Sequence, residues 1–140
     1  MASTFSDTLV TNILNGTSIA AAFPAGSILE LYSGSQPAIT AAPTGTLLAT
    51  ITLPATPWGT PAARAVAKNG TWQVNAVATG TIGWYRLKDA SGTDADAADN
   101  THQRIQGSVT ITGSGGDMTV DNTSVASGQQ VTVTGFTVSA

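Results

Sequence analysis

Cysteine is absent from the 140 residues, so neither a disulfide framework nor a thiolate metal site can hold the chain together. Charge is scarce as well: Asp, Glu, Lys and Arg make up 9% of the sequence and the net charge is −3. The five cations, Arg64, Lys68, Arg86, Lys88 and Arg104, are scattered without a cluster, which argues against a surface that tracks the phosphates of nucleic acid or of an anionic membrane. No apolar run approaches the roughly 20 residues of a membrane helix. The start of the chain, Met1 to Asp7, has no basic region, and Asn12, Asn15 and Gly16 interrupt the apolar residues that follow, so a signal peptide is not expected. These absences describe a soluble part made in a cytoplasm, with no membrane and no nucleic acid as partner.

What is there is a polar but uncharged chain. Thr, Ser, Gly, Asn and Gln must keep it in solution, and such a surface suits close packing against other proteins because few ions need desolvating at the contact. The length fits one domain with a core of its own.

One helical pattern stands out, at the start. Phe5, Leu9 and Ile13, with Val10 and Leu14, recur at spacings of four; Ser6 or Thr4 can cap, Asp7 complements the positive end, and Gly16 can take the left-handed stop. The spacing predicts a helix over 6–15. A helix this short must dock, on its own body or on a neighbour. From Pro24 onward the period changes to two. Strands are predicted at 27–32, 47–53, 71–78, 81–88, 104–112, 117–120 and 130–138, the last with a bulge at Gly135, and Gly113–Gly116 reads as a hairpin turn. The stretch Pro54 to Pro61 reads as an irregular central loop. The expectation is an all-β protein: an antiparallel β-sandwich or jelly-roll-like domain over 27–140, preceded by an N-terminal arm and short helix over 1–26.

Candidate chemistry is thin. Glu30 alternates with Ile28 and Tyr32 on a strand and reads as a partnered carboxylate; no second acid is placed to make a hydrolytic pair with it. His102 lies in a polar loop, and although Ser91 or Ser108 with Asp89 or Asp99 would complete a triad on paper, no Gly-x-Ser-x-Gly elbow presents a nucleophile. Asp94, Asp96 and Asp99 suggest a cation loop but lack the central Gly and distal Glu of an EF-hand, so a hairpin connection is the plainer reading. Trp72 and Trp84 fall on strands with Ile and Val and read as core or interface, whereas Trp58, between prolines, is expected to be exposed. No enzyme, metal or cofactor is implied. The residues offered as partner-binding are Phe5, Leu9, Ile13, Leu14 and Trp58.

The segments Ile28-Leu-Glu-Leu-Tyr-Ser-Gly-Ser-Gln-Pro-Ala38, Pro43-Thr-Gly-Thr-Leu-Leu-Ala-Thr-Ile51, Gly83-Trp-Tyr-Arg-Leu-Lys-Asp-Ala-Ser-Gly92 and Ile105-Gln-Gly-Ser-Val109, in that order, resemble a group of small virion structural proteins of tailed bacteriophages. The resemblance implies a capsid decoration, or cement, protein located in the virion. Its partners would be the major capsid protein or other virion proteins, and copies of itself in a homo-oligomer. A tail, neck or head-fibre component and a carbohydrate-binding adhesive module are the alternatives.

Overall fold

Apolar residues at every second position become strands, and the order in which those strands pair decides what each face covers. The computed structural model describes residues 3–90 and 102–139. Along the chain run β1 (Thr4–Phe5), α1 (Asp7–Leu14), α2 (Ile19–Ala22), β2 (Ile28–Ser33), β3 (Leu47–Thr52), β4 (Ala65–Ala67), β5 (Gln73–Asn75), β6 (Gly80–Lys88), β7 (Arg104–Ile111), β8 (Met118–Val120), β9 (Ser124–Val125) and β10 (Gln130–Ser139). The protein is all-β with a short N-terminal helix.

The strands form one ten-stranded sheet in the order β3-β2-β6-β7-β8-β10-β4, with β1 on β7, β5 on β10 and β9 on β6. The two facing layers expected from the sequence are parts of this one sheet, which curls until β5 lies against β3. There the Val77 N–H donates to the Leu48 carbonyl at 2.8 Å. Leu29 and Leu31, Tyr85 and Leu87, and Ile105 and Val109 point into the enclosed core with Trp72, Met118, Val133 and Phe136. Their neighbours in sequence, Glu30, Trp84, Arg86 and Gln106, take the outer face, as strand alternation requires, and are buried there too.

One pairing departs from the antiparallel expectation. β7 and β8 run parallel, Val109 opposite Met118, so Gly113–Gly116 is not a hairpin turn. Parallel neighbours ordinarily need a crossover of a dozen residues or more; here the six residues 112–117 suffice. The chain turns at Ser114, whose N–H donates to the Ile111 carbonyl, and doubles back along β7. Gly116 N–H then donates to Thr110 Oγ1 at 2.9 Å, and Ser108 N–H to Asp117 Oδ2 at 2.9 Å. Glycine permits this close return: a Cβ on Gly116 would lie 2.6 Å from Thr110 Oγ1, and one on Gly107 would lie 2.7 Å from Asp117 Oδ2.

The N-terminal segment is tied into the same body. Ser6 caps α1, accepting from the Leu9 N–H at 3.4 Å; the same hydroxyl oxygen accepts from the Arg104 N–H at 3.0 Å and donates to the His102 carbonyl at 3.2 Å. Gly16 takes the left-handed conformation, φ +96°, that ends the helix turn. Leu9, Ala22 and Phe23 belong to the sheet's core, and Thr4–Phe5 pairs with Gln106–Ile105. The N-terminal segment thus contributes Leu9, Ala22 and Phe23 to the core of the described strands. Among the described residues no helix is long and apolar enough to cross a membrane.

Truncating Leu9 to Ala, at the centre of this docking, is expected to lower unfolding free energy by about 2–5 kcal/mol. Leu14→Ala, at an exposed position, is expected to change it by less than about 0.5 kcal/mol. Denaturant melts of the two variants check both values, and equal effects would mean that α1 is not anchored through Leu9.

Candidate partner-binding site

The five residues singled out as partner-binding separate into three environments. Leu9 is wholly buried in the core and Leu14 is 82% exposed. Phe5 and Ile13 are half-buried against the core and line a groove together. Trp58 corrects the expectation of exposure: it is 5% exposed, meets Trp72 edge-on at 5.4 Å, and donates its indole N–H to the Phe23 carbonyl at 2.8 Å. The Pro54–Pro61 stretch fails as a free loop because residues 57–62 fold back on β4. Gly59 N–H donates to the Ala67 carbonyl and Asn69 N–H to the Pro57 carbonyl, which turns Trp58 inward.

The groove has a volume of about 490 Å³, and Phe5, Ile13, Ile19, Val66 and Val138 are the large apolar side chains of its wall. The sequence signal for α2 was too short to read, so Ile19 was missed; Val66 lay between the Pro54–Pro61 loop and the strand predicted at 71–78, where no element was expected. On the outward side of α1, Val10 is 40% exposed and Leu14 follows it one turn on. The groove's one charged wall residue is Arg64.

Arg64 sits at the tip of a two-residue hairpin loop. Ala62 and Ala65 exchange both backbone hydrogen bonds, and the two residues between them, Ala63 at φ +51° and Arg64 at φ +66°, are left-handed, as a type I′ turn demands. Such turns favour Asn-Gly; a residue with a full side chain carries about 1–2 kcal/mol of steric cost in this region. Arg64 is exposed and makes no hydrogen bond or ion pair with any described residue.

The remaining sequence candidates are structural in their surroundings. Glu30 meets Lys88 at 2.7 Å in a buried ion pair. Beside it Arg86, fully buried, donates to the Ala41 carbonyl at 2.9 Å, to the Ala38 carbonyl at 3.3 Å and to Gln106 Oε1 at 2.8 Å. Gln106 donates in turn to the Pro37 carbonyl, and Arg104 to the Ile39 carbonyl at 3.4 Å. This polar face thus fastens the 34–46 loop over the sheet. Trp84 lies on it, stacked on Tyr32 at 4.6 Å. Ser108 Oγ donates to Asp117 Oδ2 at 3.1 Å, which braces the β7–β8 return. Ser91, Asp94, Asp96 and Asp99 lie outside the described residues. Among the described residues no three His, Asp or Glu side chains gather as metal ligands.

A smaller hollow of about 350 Å³ lies across Phe5 from the groove, lined by Ser3, Asp117, Thr119 and Thr137 among others. Tyr85 reaches Ser3 here through its hydroxyl. Burial pushes the Tyr85 phenol well above its ordinary value; the Ser3 hydrogen bond opposes the shift and the Asp117 charge adds to it.

Comparison with family models, with curated proteins and with solved structures returned no match.

Two outcomes follow from these surroundings. Replacing Ala63-Arg64 by Asn-Gly relieves the left-handed pair and is expected to raise unfolding free energy by about 1–2 kcal/mol, read from denaturant melts. The folded chain keeps Tyr85 neutral where the unfolded chain ionises near pH 10. That stabilising contribution is complete below about pH 10 and lost as pH rises above it. Unfolding free energy should fall above pH 10, and Tyr85→Phe should flatten the fall.

Proposed function

We propose that the protein is a structural component of a bacteriophage particle, a capsid decoration (cement) protein that attaches to the shell through its N-terminal face. The observation that carries this reading is the apolar groove walled by Phe5, Ile13 and Ile19, of which Ile13 shares α1 with the exposed Val10 and Leu14. An uncovered apolar groove on a small polar protein is the mark of a contact surface. The ordered resemblance of its β2, β3, β6 and β7 segments to small phage virion proteins supplies the setting: synthesis in the host cytoplasm and residence in the virion.

Such a role asks for a rigid body, little charge to desolvate and many copies, and it asks for no catalysis. The curled sheet supplies the first and the 9% charged composition the second. Repeated copies around a symmetric shell, contacting the major capsid protein and one another, turn modest individual contacts into firm retention. The adhesive alternative loses its aromatic platform, because Trp58 is enclosed in the core.

Shells assembled without this protein, mixed with the purified chain and sedimented, test the reading. The wild-type chain is expected to load in a fixed stoichiometry. Val10→Asp with Leu14→Asp is expected to reduce loading at least about tenfold, equivalent to about 1.4 kcal/mol, with the melting temperature held within a few degrees. A wild-type chain that stays in the supernatant overturns the decoration role.

A further inference from the structure

We infer that the groove takes an apolar peptide segment of a partner protein that carries a carboxylate, and that Arg64 is the residue that pairs with that carboxylate. The inference rests on the proposed role as an attachment protein and names the chemistry of what is attached.

Two independent features lead to it. The first is charge. Phe5, Ile13, Ile19, Val66 and Val138 give the groove an apolar wall, and Arg64 is the one charged side chain on it. The guanidinium has no acceptor or acid among the described residues, whereas the buried guanidinium of Arg86 donates to the Ala38 and Ala41 carbonyls and to Gln106. A planar fork of donors beside apolar surface matches a carboxylate flanked by apolar side chains. Of the chain's eight Asp and Glu, none among the described residues reaches Arg64, so the carboxylate is assigned to a partner.

The second feature is backbone. Arg64 and Ala63 both sit at positive φ, +66° and +51°, where Asn and Gly are at ease and Ala and Arg are not. A strained pair kept at the rim of a groove points to use of the side chain it presents. Asn-Gly would make the easier turn and leave no cation on the rim. The groove lies between two braced elements, α1 fixed by Leu9 and β4 fixed on β10, so the rim is preformed and binding orders little of the protein.

The test uses the full chain and two fluorescein-labelled peptides, Gly-Leu-Ile-Asp-Leu-Leu-Gly and its counterpart with Lys in place of Asp, titrated by fluorescence anisotropy. The acidic peptide is expected to bind at least about fivefold tighter. Arg64→Gln should abolish that preference and Arg64→Glu should reverse it, with Arg64→Lys retaining part of it. Ile19→Asp should weaken both peptides; because Ile19 also packs on the core, its melting curve is recorded alongside, and the exposed Arg64 variants carry the test if it unfolds. Equal binding of the two peptides, or a preference unmoved by Arg64→Glu, overturns the inference whatever the shells do. A peptide preference that holds in a chain that does not load on shells supports the groove chemistry and removes only the decoration role. Sedimentation equilibrium supplies the last arm: a dimer of the free chain that Arg64→Glu dissociates makes a second copy the occupant and overturns the partner segment.

Discussion

Arg86 must find acceptors for its guanidinium without water, and the outer side of the protein is arranged around that need. Leaving a buried charge unpaired costs several kcal/mol, so the carbonyls of Ala38 and Ala41 and the amide of Gln106 converge on it. A loop with no regular structure is thereby held against the sheet, and Trp84, with Arg86 at 5.5 Å from its ring, is sealed beneath. The sheet can then bury both faces of β2, β6 and β7: one in an apolar core, the other under a loop fastened by polar contacts. Glu30, directly opposite Arg86 in the register, pairs with Lys88 on the same face.

That arrangement consumes the ionisable groups. Arg86, Lys88, Arg104 and Glu30 are all buried in the outer face, which removes most of the chain's cations from the surface. Among the described cations, Arg64 stands exposed on a strained turn. A surface this poor in charge has little to desolvate at a contact, and in the proposed role the Arg64 guanidinium on the apolar rim is what would select a partner. The anchoring of α1 through Leu9 and Ser6 serves the same end, because a groove wall made from a short helix is useful only if the helix is fixed.

Much of the strand pattern was legible in the residues. β2, β3, β6, β7 and β10 fall where the alternation of Ile, Leu and Val with polar residues places them, and the register shift in β10 between Val133 and Gly135 matches the bulge expected at Gly135. The helix and its Ser6 cap were legible for the same local reasons. The two- and three-residue strands β1, β4 and β9 were not, since so few residues carry no period. Nor was the parallel course of β8, which depends on Gly107 and Gly116 admitting a return that only the folded neighbours define.

The candidate site divides along the same line. Sequence periodicity alone marked Ile13 on one face of a helix, whereas Phe5, read on that same face, lies in β1 against Ile105; composition alone determined that charge would be scarce and thiol chemistry absent. Whether an apolar residue on that helix is core or surface was a tertiary decision: Leu9 meets the sheet and disappears, Leu14 one turn further on does not. Trp58 shows the same division in reverse, because its prolines suggested exposure while the pairing of residues 57–62 with β4 turned the ring inward. Arg64 and Ile19, 45 residues apart in sequence numbering, meet across one groove only because β4 closes on β10 and α1 docks through Leu9. Local sequence sets the period and the caps; long-range pairing, which no local pattern encodes, sets which faces are left open.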